Sequence, residues 1–121
     1  MKSKKIKLPE NITKVLEKTG FWFTDVECFG NKNYVEFGKN TPLGEDWHVC
    51  LWIDDTTNLE SDFKASLYAY IDSYDVDDEA EIWIERRGRN GVPNSIRTLI
   101  KDSEWKLETL EKLYKELNNE D

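Results

Sequence analysis

Hydrophobic residues follow two different periods along the chain, and the change of period divides the chain into elements. Within residues 9–20, which begin with proline and end with glycine, the apolar side chains have helical spacing, and this predicts a short amphipathic helix. Residues 21–29 and 33–38 are instead rich in aromatic and β-branched side chains and flank the turn sequence GNK. They predict a β-hairpin.

A third strand is predicted over residues 47–54. Its sequence, WHVCLWID, places Trp47 and three aliphatic residues on one face and His48, Cys50 and Trp52 on the other. Because apolar residues occur on both faces, we expect this strand to be central or the best covered in the sheet. With the hairpin before it, it predicts a three-stranded antiparallel meander.

The second half of the chain returns to a helical period. Thr57 and Glu60 have capping-box spacing, and apolar residues then recur about every four positions through residue 74. A long amphipathic helix is predicted from about Asn94. Residues 75–88 fit either a strand or a helix, and the helix is favoured because acidic residues precede basic ones along the segment.

The elements add up to a single α+β domain over residues 1–121. Its architecture is a three-stranded antiparallel meander with an N-terminal helix and two or three C-terminal helices. Five residues each of Trp, Tyr and Phe exclude a disordered acidic tail. No apolar run is long enough to span a membrane, and the N-terminal lysines precede no apolar signal segment, so we expect a cytoplasmic protein.

The two cysteines and the single histidine form no recognisable site. Cys28 and Cys50 make neither a CxxC pair nor a disulfide framework. A zinc site or a Cys–His dyad using His48 would lack a fourth ligand and the usual close spacing of ligands. We therefore expect ordinary strand positions here, and neither a metal nor a cofactor.

Charge is distributed very unevenly along this acidic chain, whose net charge is −8. Residues 40–85 contain thirteen acidic residues and one lysine, which gives −12, whereas residues 1–39 carry +3 and residues 86–121 carry +1. Seven acidic residues lie within residues 72–85 without a base. This block is either a solvated face that keeps the protein soluble or a negative patch that binds a basic surface.

The acidic block does not fit a calcium loop. With Asp75 at the first ligand position, Asp77 and Glu79 take the third and fifth. However, Ala80 then stands where glycine is needed and Arg86 where the bidentate glutamate belongs. An EF-hand-type site is not expected.

All four arginines lie in residues 86–97, RRGRNGVPNSIR. Arginine suits phosphate or carboxylate recognition, but the stretch lacks the spacing of a P-loop. We interpret it as a turn in which Arg86 and Arg87 neutralise a helix end and nearby carboxylates. Arg89 and Arg97 then remain as candidate partner contacts.

Residues 75–105 resemble a pattern found in small acidic accessory proteins of bacterial phages and mobile elements. The characteristic part is Asn90-Gly91-Val92-Pro93 followed by Ser95-Ile96-Arg97. The resemblance implies no reaction, cofactor or catalytic residue. It implies a setting in which small acidic inhibitors of host defence systems occur.

These observations together predict a non-catalytic, acidic protein-binding protein. It would occlude the basic surface of a nuclease or other nucleic-acid-binding protein, as an anti-CRISPR-like DNA mimic does, without binding nucleic acid or membranes itself, and as a monomer or weak dimer. The predicted partner-binding residues are Asp72, Asp75, Asp77, Asp78, Glu79, Glu81, Trp83, Arg89 and Arg97, and Trp52, Tyr70 and Tyr74 are further candidate anchors. Two alternatives are a small enzyme or anion-binding module using the arginine-rich turn, and a helix-mediated assembly module using Ile96, Leu110 and Leu117.

Overall fold

The computed structural model describes residues 4–81 and 96–118, and it confirms the predicted α+β class. A short 3₁₀ turn at Thr56–Asn58 precedes the second helix. The elements are β1 (Lys4–Ile6), α1 (Glu10–Lys18), β2 (Trp22–Phe23), β3 (Val26–Phe29), β4 (Lys32–Asn40), β5 (Asp46–Ile53), α2 (Leu59–Asp72), α3 (described over 76–81) and α4 (Ile96–Asn118).

The sheet is antiparallel throughout, but its layout differs from the predicted three-stranded meander. β2 and β3 lie along the same edge of β4 and are separated by a bulge, because Trp22 pairs with Gly38 while Glu27 pairs with Tyr34, one residue out of register. Thr24 lies at this bulge and bonds the backbone of Glu36 through both its N–H and its hydroxyl. The predicted strand 21–29 is therefore two short strands.

Two further corrections concern the edges of the sheet. β1 pairs with β3, which adds an outer strand that the sequence analysis missed because three residues show no clear period. β5 pairs with β4 alone among the described strands, so it is an edge strand and the expectation of a central one is wrong. The apolar residues on its second face, including Trp52, are exposed, and this second face misled the prediction.

Three helices pack on the inner face of the sheet and form one hydrophobic core with it. The buried residues Val35 and Phe37 of β4 and the inward residues of β5 meet apolar side chains from α1, α2 and α4. The helical members of this core are Ile12, Val15, Leu16, Leu59, Phe63, Leu67, Leu110, Leu113 and Leu117. Each fully buried aliphatic or aromatic side chain contributes about 1.5–3 kcal/mol, so this face of the sheet fixes where the helices lie.

The start of α2 was predicted wrongly. Thr57 does not cap the helix but lies in the preceding 3₁₀ turn. Asp55 caps that turn: its carboxylate accepts the Thr57 N–H at 2.9 Å and the Thr57 hydroxyl at 2.6 Å. A carboxylate is a stronger acceptor than a hydroxyl, and an aspartate two residues earlier therefore replaces the expected capping box.

The ambiguous segment 75–88 is helical where the structure describes it, over residues 76–81. The Asp75 carboxylate accepts the Asp78 N–H at 3.0 Å, as an N-cap side chain does. The predicted turn at Gly88 lies outside the described residues. The acidic residues that favoured a helix over a strand thus lie at the N-terminus of α3, where Asp75 is the cap.

Candidate protein-binding site

Five exposed carboxylates lie together at the junction of α2 and α3. None of them forms an ion pair within residues 4–81 and 96–118. We call this set the acidic surface; its members are Asp72, Asp75, Asp77, Asp78 and Glu81. The structure therefore brings five of the nine predicted partner-binding residues into one region.

Helix chemistry accounts for part of this acidic surface. Asp75 caps α3, and Asp77 and Asp78 lie in its first turn, where the helix dipole favours negative charge. Asp72 has no such explanation, because it is the last residue of α2, whose last turn contains no base. A carboxylate at a helix C-terminus is electrostatically unfavourable, so Asp72 does not stabilise α2.

Glu79 belongs to a buried ion-pair network rather than to the acidic surface. Its carboxylate lies 3.6 Å from the Lys106 ammonium, and Lys106 also pairs with Glu45 at 2.7 Å. Lys106 is only 2% exposed, and its ammonium lies 5.9 Å from the centre of the Trp47 ring. Glu79 was predicted to contact a partner, but its carboxylate is engaged within the protein.

The β4–β5 turn places Glu45 in this network. Gly44 adopts a positive φ of 83°, which a tight hairpin turn requires and glycine tolerates best. Thr41 closes the turn, since its N–H donates to the Glu45 carbonyl and its hydroxyl accepts the Glu45 N–H. Lys106 consequently ties α4 to the β4–β5 turn and to α3.

Polar side chains on the buried face of α4 surround this lysine, and sequence reasoning missed them. The Ser103 hydroxyl donates a hydrogen bond to the Val76 carbonyl at 2.9 Å, and the Tyr74 hydroxyl donates to the Ser103 carbonyl at 2.9 Å. Asp102 is 5% exposed, and neither of its carboxylate oxygens has a hydrogen-bond partner within the described part of the chain. The N-terminal half of α4 thus buries Asp102, Ser103 and Lys106 beside Leu99, whereas its C-terminal half buries leucines.

Two of the predicted aromatic anchors are partly engaged within the protein itself. Tyr70 and Tyr74 are half-buried and pack against the core. Burial raises the pKa of Tyr70 to about 12, with a smaller contribution from the nearby Glu79, and burial likewise raises the pKa of Tyr74. Both phenols are neutral at physiological pH and cannot act as bases.

Of the remaining predicted partner contacts, Trp52 and Arg97 lie in the described part of the chain. Arg97 is exposed on the first turn of α4, and Trp52 is exposed by 58%. Trp83 and Arg89 lie outside the described residues, as does most of the arginine-rich turn. Leu110 and Leu117 are buried in the protein's own core, so the apolar seam predicted for helix-mediated assembly is already occupied.

The outer face of the sheet displays aromatic rings that the sequence analysis did not group. Phe29 and Tyr34 stack with centroids 6.3 Å apart, and Tyr34 meets Trp52 edge-on at 5.7 Å. Trp22 lies edge-on to His48 at 4.8 Å. Exposed and buried residues alternate along β5, but Cys50 and Trp52 on the exposed face are as apolar as the buried residues, so the sequence carried no signal for this face.

The two cysteines lie on opposite faces of the sheet, and the histidine shares a face with one of them. Cys28 packs towards the core, whereas Cys50 is exposed on the opposite face of the sheet beside His48. No group of His, Cys, Asp and Glu within the described residues could hold a metal ion. Cys28 lies on the other face of the sheet from His48 and Cys50, the two residues with which a zinc site was considered.

His48 and Cys50 have the wrong electrostatics for a nucleophilic pair. The two ring nitrogens of His48 lie 3.2 Å from carboxylate oxygens of Asp46 and Glu36, and these hydrogen bonds raise the His48 pKa. Desolvation raises the pKa of the Cys50 thiol, and the charge of Glu36 adds to this effect. The thiol is therefore less readily ionised than usual, the opposite of an activated nucleophile.

Comparison with known proteins identifies no relative. No family model matches the chain, and the searches of curated proteins and of solved structures gave no significant match. Among the helices of the described residues, none has the length and apolar character needed to cross a membrane. The functional argument therefore depends on the geometry of the site.

Proposed function

We propose that this chain is a non-catalytic protein that binds the basic, nucleic-acid-binding surface of a protein partner. The observation that carries this proposal is the acidic surface, whose five exposed carboxylates have no counter-ion within the described residues. Such a surface attracts a basic partner, speeds the encounter and disfavours acidic competitors.

A merely solubilising surface would be arranged differently. Solubility is served by charges of both signs mixed over the whole surface, as on α1 and α4, where glutamates and lysines alternate. Among the described residues at the junction of α2 and α3, the exposed charges have one sign, and Asp72 opposes the dipole of α2. Binding is a reason to retain a charge that folding does not favour.

The partner that fits this surface is a cytoplasmic nuclease or another nucleic-acid-binding protein. Its phosphate-binding cleft carries lysines and arginines, and a row of carboxylates imitates the phosphates that the cleft accepts. The resemblance of residues 75–105 to accessory proteins of mobile elements suggests counter-defence inhibition, as by an anti-CRISPR protein. In this function the chain itself binds neither nucleic acid nor a membrane.

The test compares two variants with the same change in net charge. The site variant carries Asp72→Asn, Asp77→Asn and Asp78→Asn, which leaves the cap Asp75 and the paired Glu79 in place. The control variant neutralises three exposed glutamates elsewhere, Glu17→Gln, Glu108→Gln and Glu111→Gln. Circular dichroism and thermal unfolding establish that both variants are folded.

Binding is measured by biolayer interferometry against a panel of purified nucleases and DNA-binding proteins with basic clefts. We expect at least one to bind at 50 mM NaCl, more weakly at 300 mM NaCl, and in competition with duplex DNA. The site variant should bind at least tenfold more weakly than the control variant. Equal losses in the two variants, or binding by none of the panel, would contradict the proposal.

A further inference from the structure

A groove runs along the free edge of β5, with α2 and α3 forming its opposite wall. It consists of two adjoining shallow cavities of about 340 and 210 Å³, which share Tyr70 and Ser73. One cavity follows β5 from Cys50 to Asp54, and the other continues past Tyr74 to Glu79. The groove thus joins the edge of the sheet to the acidic surface.

The backbone of β5 has unused hydrogen-bonding groups at this edge. The Ser66 hydroxyl donates to the Trp52 carbonyl at 2.6 Å, which shows that this carbonyl points away from β4. In an antiparallel pair the N–H and C=O of one residue point the same way, and the direction alternates along the strand. The backbone groups of Cys50 and His48 therefore also point outward, and no other described residue hydrogen-bonds to them.

Among the described residues, α2 protects one end of this edge, where the Ser66 hydroxyl donates to the Trp52 carbonyl and the Asp62 carboxylate accepts the Asp54 N–H. The rest of the edge lacks the usual protecting devices. Edge strands are commonly short, or carry lysine or proline that discourages another strand from pairing. β5 is eight residues long, DWHVCLWI, with neither lysine nor proline. The part of the edge at His48 and Cys50, whose outward backbone groups no described residue binds, is suited to the addition of an extended strand.

The charge of the groove determines what kind of strand fits. Among the described residues, the charged ones that line it are all acidic: Asp54 in the first cavity and Asp75, Asp78 and Glu79 in the second. Apolar contact is offered by Tyr70 and by the exposed Trp52. The complementary ligand is an extended segment with basic side chains on one face and apolar ones on the other.

We propose that this groove binds an extended, Lys/Arg-containing segment of the protein partner as an additional strand on β5. The inference rests on the proposed function, and it names the part of the partner that is recognised. Backbone bonds to His48 and Cys50 would fix the register of the segment, and alternate basic side chains would reach Asp75 and Asp78. A segment of about five residues would span the exposed part of the edge.

The first test is amide hydrogen exchange followed by NMR, with a synthetic peptide of alternating valine and lysine as the probe. Without peptide, the outward amides of His48 and Cys50 should exchange much faster than the inward amides of Val49 and Leu51, which bond to β4. Saturating peptide should slow exchange at His48 and Cys50 at least tenfold and leave the inward pair unchanged. A matched valine–glutamate peptide should have no effect.

Several outcomes would overturn the inference. Exchange at His48 and Cys50 that is unaffected by saturating lysine peptide would show that the edge is not used. Equal protection by the glutamate peptide would remove the charge argument. Protection that rises with protein concentration in the absence of peptide would assign the edge to a second copy of this chain.

A pair of variants at one position tests the backbone bond directly. Cys50→Pro removes an outward N–H without removing a bond to β4, and proline is tolerated at such edge positions. Cys50→Val keeps the N–H and serves as the control. We expect the proline variant to lose at least tenfold in peptide affinity while the valine variant binds as the original protein does; equal affinity of the two folded variants would contradict the inference.

Failure of this inference can be distinguished from failure of the proposed function. If neutralising Asp72, Asp77 and Asp78 weakens binding to a nuclease while the peptide leaves the β5 amides unprotected, the acidic surface acts without strand addition. If neutralisation has no more effect than the control variant does, the proposed function itself is wrong.

Discussion

Replacing Lys106 by methionine should be among the most destabilising single changes in this protein. Methionine keeps the length and apolar character of the stem but removes the ammonium group. The ammonium is 2.7 Å from Glu45 and 3.6 Å from Glu79, in a side chain that is 2% exposed. The change therefore leaves two carboxylates beside a buried apolar side chain and without their counter-ion.

The magnitude follows from these distances and from the cost of dehydration. At an effective dielectric constant of about 20, the attraction is about 6 kcal/mol at 2.7 Å and about 5 kcal/mol at 3.6 Å, before desolvation is counted. Desolvation cancels much of this, and removing one partner of a buried pair typically costs about 3–5 kcal/mol. That is a large share of a domain stability of about 5–15 kcal/mol.

The assay is equilibrium unfolding in urea at pH 7, with Lys101→Met as the control. Lys101 is an exposed lysine on the same helix, and its replacement should change the free energy of unfolding by less than about 0.5 kcal/mol. Adding Glu45→Gln to Lys106→Met should recover part of the loss, because one uncompensated charge is removed. A cost for Lys106→Met no larger than for Lys101→Met would refute the reasoning.

Three further predictions concern single side chains. Asp72→Lys should raise the free energy of unfolding by about 0.3–1 kcal/mol in thermal or urea unfolding, because a cation is favoured at the C-terminus of α2; a loss of stability would contradict this. The pKa of His48 is raised above its ordinary value of 6.5 by Asp46 and Glu36, so its stabilising effect is complete below pH 6.5 and is lost as the pH rises through the folded-state pKa. In urea unfolding from pH 5 to 8, His48→Gln should remove this pH dependence, and an unchanged profile would show that another group is responsible. Because the pKa of Cys50 is raised, iodoacetamide should alkylate it more slowly at pH 7 than it alkylates glutathione, as measured by mass spectrometry, and faster labelling would contradict that direction.

The helices were predictable because their periodic apolar residues do pack on one face. Ile12, Val15 and Leu16 are buried as their spacing required, and so is Leu113 on α4. A helical stripe identifies its buried face without reference to the rest of the chain. Helix positions could therefore be assigned from sequence alone, within a few residues at their ends.

The position of a strand within the sheet was not predictable in the same way. Trp52 and Cys50 are apolar and alternate with Val49 and Leu51 along β5. This pattern predicted that both faces of the strand would be buried. Whether a second face is covered depends on where distant helices pack, and no local pattern records that. Apolar residues at alternate positions of a strand therefore do not show that both of its faces are covered.

For the acidic surface, the sequence shows which residues are acidic, but only the fold shows which of them are paired with a base. The number and order of acidic residues in 72–81 were evident, but Glu79 could not be told from its neighbours. It is distinguished only by Lys106, twenty-seven positions further along the chain, whose place on the buried face of α4 has no apolar signal. Ion pairing between distant elements is a property of packing, which charge patterns do not encode.

The buried network and the exposed carboxylates are parts of one arrangement. Lys106 contacts Glu79 of α3 and Glu45, which directly precedes β5, so it fixes α3 against the start of the strand whose edge is free. Within the described residues this base is buried and cannot neutralise the exposed acids. Loss of Lys106 should therefore impair binding to β5 even though no partner would touch it. A folded Lys106→Met variant, assayed with the valine–lysine peptide, should bind more weakly than the Lys101→Met control, and equal affinity would show that α3 needs no fixed position for the groove to act.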